Sequence, residues 1–548
     1  MRRRRQRNVA GLQLAKRPAQ RLDRGMPLRS SLRLPRRSLL TGAAALAGFA
    51  ILPHATRAQS ANPFTLGVAS GDPDPDGFVL WTRLAPQPLA PDGGLSGAVA
   101  VQWEIATDEA MRQVVQRGEA QADDRFAHSV HIEATGLQPN RPYWYRFTAL
   151  GAQSAVGRAR TAPAPGDALD RLRCVIASCS NYEIGYFSAY RHMAAENPDL
   201  ILFLGDYIYE TNNEGERAAL TVRRHANPEP KDLAGYRVRY AQYRTDPDLQ
   251  ALHAAAPCLM TWDDHEVEND YADQWSARPA TDPQDFLRRR AAAYQAYYEH
   301  MPLRRLSLPD GPGMRVYDRA RFGTLVEFFV LDGRQYRARE ACPGPTWAGG
   351  HAVTAACTER DDPARSMLGA AQEAWLFDGF RQAGARWNIM AQDLLVASLA
   401  QKTQAGEWAH WTDGWDGYPA SRTRVLEAIA QSRLANPVFL GGDVHAFFTT
   451  DLKADFDDPR SATVATEFVG TSVTSEPAPY DRFIQLLPDN PHIRFFDSRQ
   501  RGYLSADLTP AHLEMRMQVI TDRRDPQAGV STLRRWVVED GKVGAVAA

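Results

Sequence analysis

From residue 62 to residue 163 the chain alternates between apolar and polar side chains. The alternation runs through Phe64–Ser70, Gly77–Leu84, Ala98–Thr107, Val114–Ala122, Val130–Ala134, Tyr143–Leu150 and Ala155–Arg160, the period-two pattern of half-buried strands. Turn clusters such as Gly71-Asp-Pro-Asp-Pro-Asp-Gly77 separate them. This predicts an N-terminal β-sandwich over 60–163, closed by a linker at Thr161-Ala-Pro-Ala-Pro-Gly166. From Leu172 the pattern changes. Cys174–Ala177 and Leu200–Leu204 are continuous apolar runs, and Gly185–Glu196 between them has helical character, a β-α-β unit with strands buried on both faces. Further buried strands are expected at Cys258–Thr261, Leu325–Leu331, Trp387–Ala391, Val438–Leu440 and Thr466–Val469, and helices at Pro247–Ala255, Asp285–His300, Ala370–Ala383 and Ser421–Ala430. The prediction is a mixed α/β (α+β), multi-domain chain: the sandwich, an α/β domain over 170–525, and a C-terminal tail over 526–548. In open α/β sheets ligand sites lie beyond the carboxyl ends of the strands.

The segment before the sandwich is different in kind. Residues 1–58 carry 14 Lys/Arg and one acidic residue, Asp23, a net of +13, which leaves −14 for residues 59–548 within a chain total of −1. Arg36-Arg37-Ser38 precedes an Ala- and Gly-rich apolar core ending at Leu52, then Thr56-Arg57-Ala58, a small-x-small cleavage pattern. The apolar core is too short to span a bilayer. The paired arginines resemble a twin-arginine signal peptide, with Met26 as a second possible start. The expectation is export to the periplasm or secretion, with the twin-arginine translocase as a partner. A hydrophobic content of 44% excludes a disordered chain, and the acidic balance of the mature part excludes nucleic-acid binding by bulk charge.

Five cysteines make no C-x-x-C pair, which argues against zinc ribbons and c-type haem. Cys342 and Cys357 flank a loop rich in Gly, Pro and Thr and can form a disulfide in an oxidising compartment. Four strand ends gather reactive residue types: Ile176-Ala-Ser-Cys179-Ser-Asn, Leu202-Phe-Leu-Gly-Asp206-Tyr-Ile-Tyr209-Glu210, Trp262-Asp-Asp264-His265-Glu266-Val-Glu-Asn269 and Phe439-Leu-Gly-Gly-Asp443-Val-His445. Each alone has an ordinary structural reading: a buried cysteine filler, Gly-Asp turns, aspartates capping a helix, a satisfied core histidine. Together they are what a water-activating metal pair needs, anionic and imidazole ligands converging from several strands of one sheet.

Those motifs resemble the calcineurin-like metallophosphoesterase superfamily. With Phe64-Thr-Leu-Gly-Val-Ala-Ser-Gly-Asp72, Val79-Leu-Trp-Thr-Arg83 and Leu331-Asp-Gly-Arg-Gln-Tyr-Arg337, the chain is similar to the PhoD-type alkaline phosphatases. Separately, Gly136-Leu-Gln-Pro-Asn-Arg-Pro-Tyr-Trp-Tyr-Arg146 resembles the tyrosine-corner region of a fibronectin type III domain. The resemblance implies a four-layer α/β/β/α metallophosphoesterase sandwich preceded by a small fibronectin III/Ig-like β-sandwich. It implies ferric iron (Fe3+) held by Cys179, Asp206, Tyr209 and His445, and calcium (Ca2+, one or two ions, or another divalent cation) sharing Asp206 and using Asn269 and Asp443. The ligand types agree with that division, soft and imidazole donors for a transition metal and oxygen donors for a hard cation. Catalytic candidates are His265, to contact phosphate or protonate the leaving group, and Asp264, at the position where many superfamily members place an Asn ligand. Arg244 and Arg334 are phosphate-contact candidates. Gln392-Asp393 departs from the family's Gln-Gln, and Asp413, Asp416 and Tyr418 belong to a loop resembling its substrate side.

The implied activity is hydrolysis of phosphate monoesters and diesters by a monomeric exported alkaline phosphatase, through attack of a metal-bound hydroxide, on small phosphate-ester substrates. One alternative keeps the site but takes cell-wall or lipid phosphodiesters, as a phosphodiesterase or phospholipase D-like enzyme. Another is a non-catalytic exported binding protein. Ser70 lacks the flanking pattern of a nucleophile elbow, so a serine hydrolase is not expected.

Overall fold

The computed structural model describes residues 62–458 and 460–548, and these described residues belong to one compact unit. The expected export signal, residues 1–58 with Met26, lies outside the described residues. Two large sheets make the centre. The first has ten strands, in the spatial order Val546–Ala547, Val530–Glu539, His512–Ile520, Gly502–Leu508, Leu172–Ala177, Leu200–Leu204, Cys258–Thr261, Val68–Asp74, Gly77–Arg83 and Ser129–Ala134. The second has seven, Asp318–Phe322, Val326–Val330, Trp387–Ala391, Pro437–Gly441, Thr463–Val469, Phe447–Lys453 and Ile493–Asp497.

Parallel strands sit at the middle of each. Leu172–Ala177, Leu200–Leu204 and Cys258–Thr261 run parallel in the first, and Val326–Val330, Trp387–Ala391, Pro437–Gly441 and Thr463–Val469 in the second. Their unbroken apolar sequences follow from burial on both faces. Leu200, Leu202 and Leu204 join Ile176, Val326, Phe328, Ile389 and Leu440 between the sheets. Ile201 and Phe203 point the other way, packing with Tyr190, Tyr236, Tyr240 and Leu252 among the helices. Outside the second sheet, Phe329, Met390 and Phe439 pack on Leu376, Phe380, Leu426 and Ile429 of helices Gly369–Gln382 and Pro419–Ser432. The layers are α/β/β/α, as the resemblance implies.

The N-terminal alternation becomes strands whose inner positions, Val101, Ile105, Tyr145 and Phe147, pack on Val68, Phe78, Leu80 and Val130. Tyr143 Oη accepts the Gln138 backbone N–H at 2.9 Å, the tyrosine-corner bond. One face of this sandwich is continuous with the ten-stranded sheet: Gly71 pairs in parallel register with Cys258. A Cβ at Gly71 would come within 2.4 Å of the Pro302 carbonyl, so the close approach requires glycine. Trp81 Nε1 donates to the Glu299 carbonyl at 3.0 Å, fastening the sandwich to helix Pro283–His300.

Three features correct the sequence picture. Residues 526–548 are no tail, because Val530–Glu539 pairs along His512–Ile520 and buries Trp536 and Val538 between the sheets. Strands Gly502–Leu508 and His512–Ile520 extend the first sheet beside Leu172–Ala177. Helix Leu233–Arg244 also lies outside the predicted elements; it buries Tyr236, Arg239, Tyr240, Tyr243 and Arg244, residues that read as polar or mixed. Cys342 and Cys357 form a disulfide. Among the described residues no helix is long and apolar enough to cross a membrane.

Candidate metal centre

Five parallel strands, three from the first sheet and two from the second, end beside one another and turn sharply. Immediately after them come Cys179, Asp206, Asp263 and Asp264, Asp393, and Asp443 with His445. The turns are tight enough to force the left-handed region on residues with side chains: φ is 60° at Cys179, 52° at Asp206, 60° at Asp443 and 51° at His445. That conformation costs roughly 1–2 kcal/mol for an L-residue, and such outliers cluster at functional sites. Gly205, at φ 81°, is needed for a second reason. A Cβ there would meet the Asp263 Cβ at 2.4 Å, so glycine lets two strand ends touch.

The turns bring Cys179, Asp206, Tyr209 and His445 together. Cys179, Asp206 and His445 offer donor atoms all within 4.8 Å of one another, as do Asp206, Asp264 and His265. Asp206 belongs to both groups. Tyr209 Oη donates to Asp206 Oδ2 at 2.8 Å and lies 3.1 Å from His445 Nε2. Asp443, Tyr209 and His445 line one cavity. Asn269 is fixed through its backbone N–H, which Glu210 Oε1 accepts at 2.9 Å.

The electrostatics favour cations in this place. Asp206 Oδ1, Asp263 Oδ2, Asp264 Oδ1 and both Asp393 carboxylate oxygens are buried with no hydrogen-bond partner. Burial pushes the Asp206 carboxyl well up, against the pull of the His265 cation, and Asp263 and Asp264 add to the push. Burial and the Asp206 charge likewise push the Cys179 thiol up. Burial, then Arg501 and His265, brings His445 down to about 3, which leaves a neutral imidazole able to donate a lone pair. Buried carboxylates with empty lone pairs are costly unless paired or metal-bound. The donor set of thiol, phenol, imidazole and carboxylate therefore fits a transition metal next to a hard cation.

His265 pairs with a buried carboxylate beside these donor groups. Its Nδ1 lies 2.6 Å from Glu210 Oε2, and its ring lies 4.0 Å, centroid to centroid, from that of Tyr209. Burial opposes its charge, but Glu210, Asp206 and Asp264 outweigh that and hold the imidazolium well above the usual histidine range. Glu210 in turn is down at about 2: burial works against its charge, and His265 overcomes it.

Two of the sequence candidates, Arg244 and Arg334, are fully buried against other protein groups. Arg244 is fully buried, stacked over the Trp81 ring at 4.1 Å with Nη1 3.4 Å from Tyr207 Oη. It braces the junction with the N-terminal sandwich. Arg334 is at the centre but already occupied: Nε donates to Asp263, and Nη1 and Nη2 donate to Asp413 at 2.7 and 3.0 Å. It neutralises the carboxylate cluster. Asp264 stands 3.6 Å from it and accepts the Asp270 backbone N–H at 2.7 Å. Asp393, the departure from Gln-Gln, adds a carboxyl that burial and Asp263 push well up. Asp416 pairs with Arg422, and Tyr418 Oη donates to the Ala338 carbonyl.

Several supporting residues carry no role in the sequence picture. Glu266 accepts the backbone N–H groups of Asp206 at 3.1 Å, Asp263 at 2.9 Å and Tyr207, clamping two ligand loops together. Ser475 Oγ donates to Tyr209 Oη at 2.7 Å and lies 3.0 Å from the Cys179 carbonyl. The signal for Glu210 and Glu266 is their place inside the motifs. For Ser475 it is the small polar run Thr471-Ser-Val-Thr-Ser475 just past a buried strand.

Residues 174–517 match the model of the PhoD-like phosphatase family, and residues 50–163 match that of the PhoD-like phosphatase N-terminal domain. Alkaline phosphatase D of Bacillus subtilis (strain 168) is 43% identical over 526 residues, covering 93% of this chain and 88% of that protein. A solved structure of PhoD superposes with a TM-score of 0.84 at 44% identity, over 89% of this chain and 92% of that one. The chain therefore belongs to the PhoD-like phosphatase family and is a phosphoric ester hydrolase of the alkaline phosphatase kind.

Proposed function

We propose that the chain is an exported phosphatase that hydrolyses small phosphate monoesters and diesters at a pair of cations. Cys179, Asp206, Tyr209 and His445 would hold a ferric ion, and Asp206, Asn269 and Asp443 a calcium ion or another divalent cation. The observation that carries this reading is the convergence of the Cys179, Asp206 and His445 donor atoms within 4.8 Å of one another, with Tyr209 Oη 2.8 Å from Asp206 Oδ2 and Asp443 lining the same cavity as Tyr209 and His445. Bound there, the cations would supply positive charge to activate water and to neutralise the phosphoryl oxygens.

The chain's own residues do the rest. Glu210 ties Nδ1 of His265 and keeps the ring charged, which leaves the Nε2 proton for the departing ester oxygen. Glu266 and Arg334 fix the loops that carry Asp206 and Asp263. The Cys342–Cys357 disulfide supports an oxidising compartment, in keeping with the twin-arginine pattern. The −14 balance of residues 59–548 favours small esters over polyanions. The direct test is turnover of p-nitrophenyl phosphate and bis-p-nitrophenyl phosphate by the purified protein. Both are expected to be cleaved and both activities to fall away on chelation; activity indifferent to chelators would overturn the reading.

Two further results are expected. Proton donation by His265 is worth about 10²–10⁴-fold when the leaving group is a poor one. His265→Gln should therefore lower kcat on alkyl phosphates by that much, and on p-nitrophenyl phosphate, whose phenolate leaves unaided, far less. Equal losses on both substrates would remove His265 from that role. Ser475→Ala removes the hydrogen bond to the Tyr209 oxygen. The visible absorption band of a ferric phenolate should shift in that variant, and an unmoved band would show that Ser475 does not tune the phenolate.

A further inference from the structure

The cavity that opens onto Tyr209, Asp443 and His445 has a volume of about 540 Å³. That is the size of a site for a whole drug-sized ligand, far more than a phosphoryl group occupies. Most of the side chains around the excess space are apolar, and of the polar ones Arg482 donates to Gln401 Oε1 at 2.7 Å. Leu395, Leu399, Trp411, Trp415 and Phe483 all belong to its wall. The wall is built in advance of any substrate: Glu467 accepts the backbone N–H of Val396 and that of Ala397. Asp416 accepts that of Leu399 at 2.8 Å, and Asn490 that of Ala400 at 2.9 Å. The acidic groups of the far side are already paired, Asp416 with Arg422 and Glu476 with Arg217. They offer no free carboxylate for a cationic head group.

Resting on the phosphatase reading above, we propose that this cavity receives the alcohol half of the ester and selects uncharged apolar alcohols over polyols. Phosphate on the cation side and hydrocarbon against Leu399, Trp411 and Phe483 is the arrangement that leaves neither half desolvated without a partner.

n-Hexyl phosphate and ethyl phosphate test this, because their alkoxides leave about equally badly and differ only in buried hydrocarbon. Four extra methylenes in an apolar pocket should raise kcat/KM at least about tenfold for the wild-type enzyme. n-Hexylphosphonate should inhibit at least about tenfold more tightly than ethylphosphonate. In Leu399→Asn and in Phe483→Ser, changes on separate elements, the hexyl-to-ethyl ratio should collapse towards unity. Because the ratio is read within each variant, a general loss of activity does not hide it, and the wild-type ratio and the phosphonate inhibition stand even where a variant fails to fold. A wild-type ratio near unity, or an unchanged ratio in both folded variants, overturns the pocket assignment alone. Failure of the wild-type enzyme to cleave any of these esters or p-nitrophenyl phosphate overturns the phosphatase reading instead.

Discussion

Asp206→Asn is expected to remove phosphate-ester hydrolysis by at least about 10³-fold, the scale of losing a principal electrostatic stabiliser of a transition state, without unfolding the chain. Asparagine keeps the side-chain shape and tolerates the left-handed backbone that position 206 adopts at φ 52°. It withdraws the one negative charge shared by both donor groups. It also relieves repulsion, since Asp206 sits among Asp263, Asp264 and Glu266. The apo protein should thus unfold in urea no more easily than wild type, while bound metal and kcat collapse together. Asn269→Ala should lower activity through the divalent position. Retained activity in either variant would remove that residue from the metal centre.

Arg334→Met should give the largest loss of stability. Its guanidinium is fully buried and bonded to Asp263 and Asp413, with Asp264 and Asp393 at 3.6 and 3.7 Å. Despite burial, Arg334 and Arg337 together hold Asp413 well below the usual carboxylate range. Taking one partner out of a buried charge network costs about 3–5 kcal/mol. The deficit should be greatest in the presence of a chelator, where no added cation compensates the unpaired buried carboxylates. Arg334→Lys should recover only part of it, because an ammonium cannot make the two parallel bonds to Asp413. Urea unfolding curves of Arg334→Met that coincide with wild type in chelator would show that the cluster is not held by this charge.

These two residues also mark how far the sequence could be read. Asp206 is legible because its environment is local: a continuous apolar strand, a glycine, then the carboxylate, with Tyr209 three residues on. The parallel strands and the N-terminal alternation are legible for the same reason. Each carries its period in adjacent residues. Arg334 sits in a motif, Leu331-Asp-Gly-Arg-Gln-Tyr-Arg337, that looks as suited to phosphate as to carboxylate. What decides its role is Asp413, 79 positions away, and nothing in the intervening sequence records that pairing. Arg244 is decided by Trp81, on a strand of the N-terminal sandwich. Strand His512–Ile520 does alternate, Leu513, Met515, Met517 and Val519 facing inward. The Glu, Arg and Gln between them give it the composition of an exposed segment. Val530–Glu539 is mostly exposed near the sheet's end, and only Trp536 and Val538 reach the core, too few to show a period.

The central claim is a pair of chemically different cations sharing Asp206. Elemental analysis of active, purified protein alongside its visible spectrum tests it most directly. The account predicts one iron and at least one divalent ion per chain, a visible band from the Tyr209 phenolate, and loss of both metals in Asp206→Asn. A colourless, metal-free preparation with full phosphatase activity would contradict it.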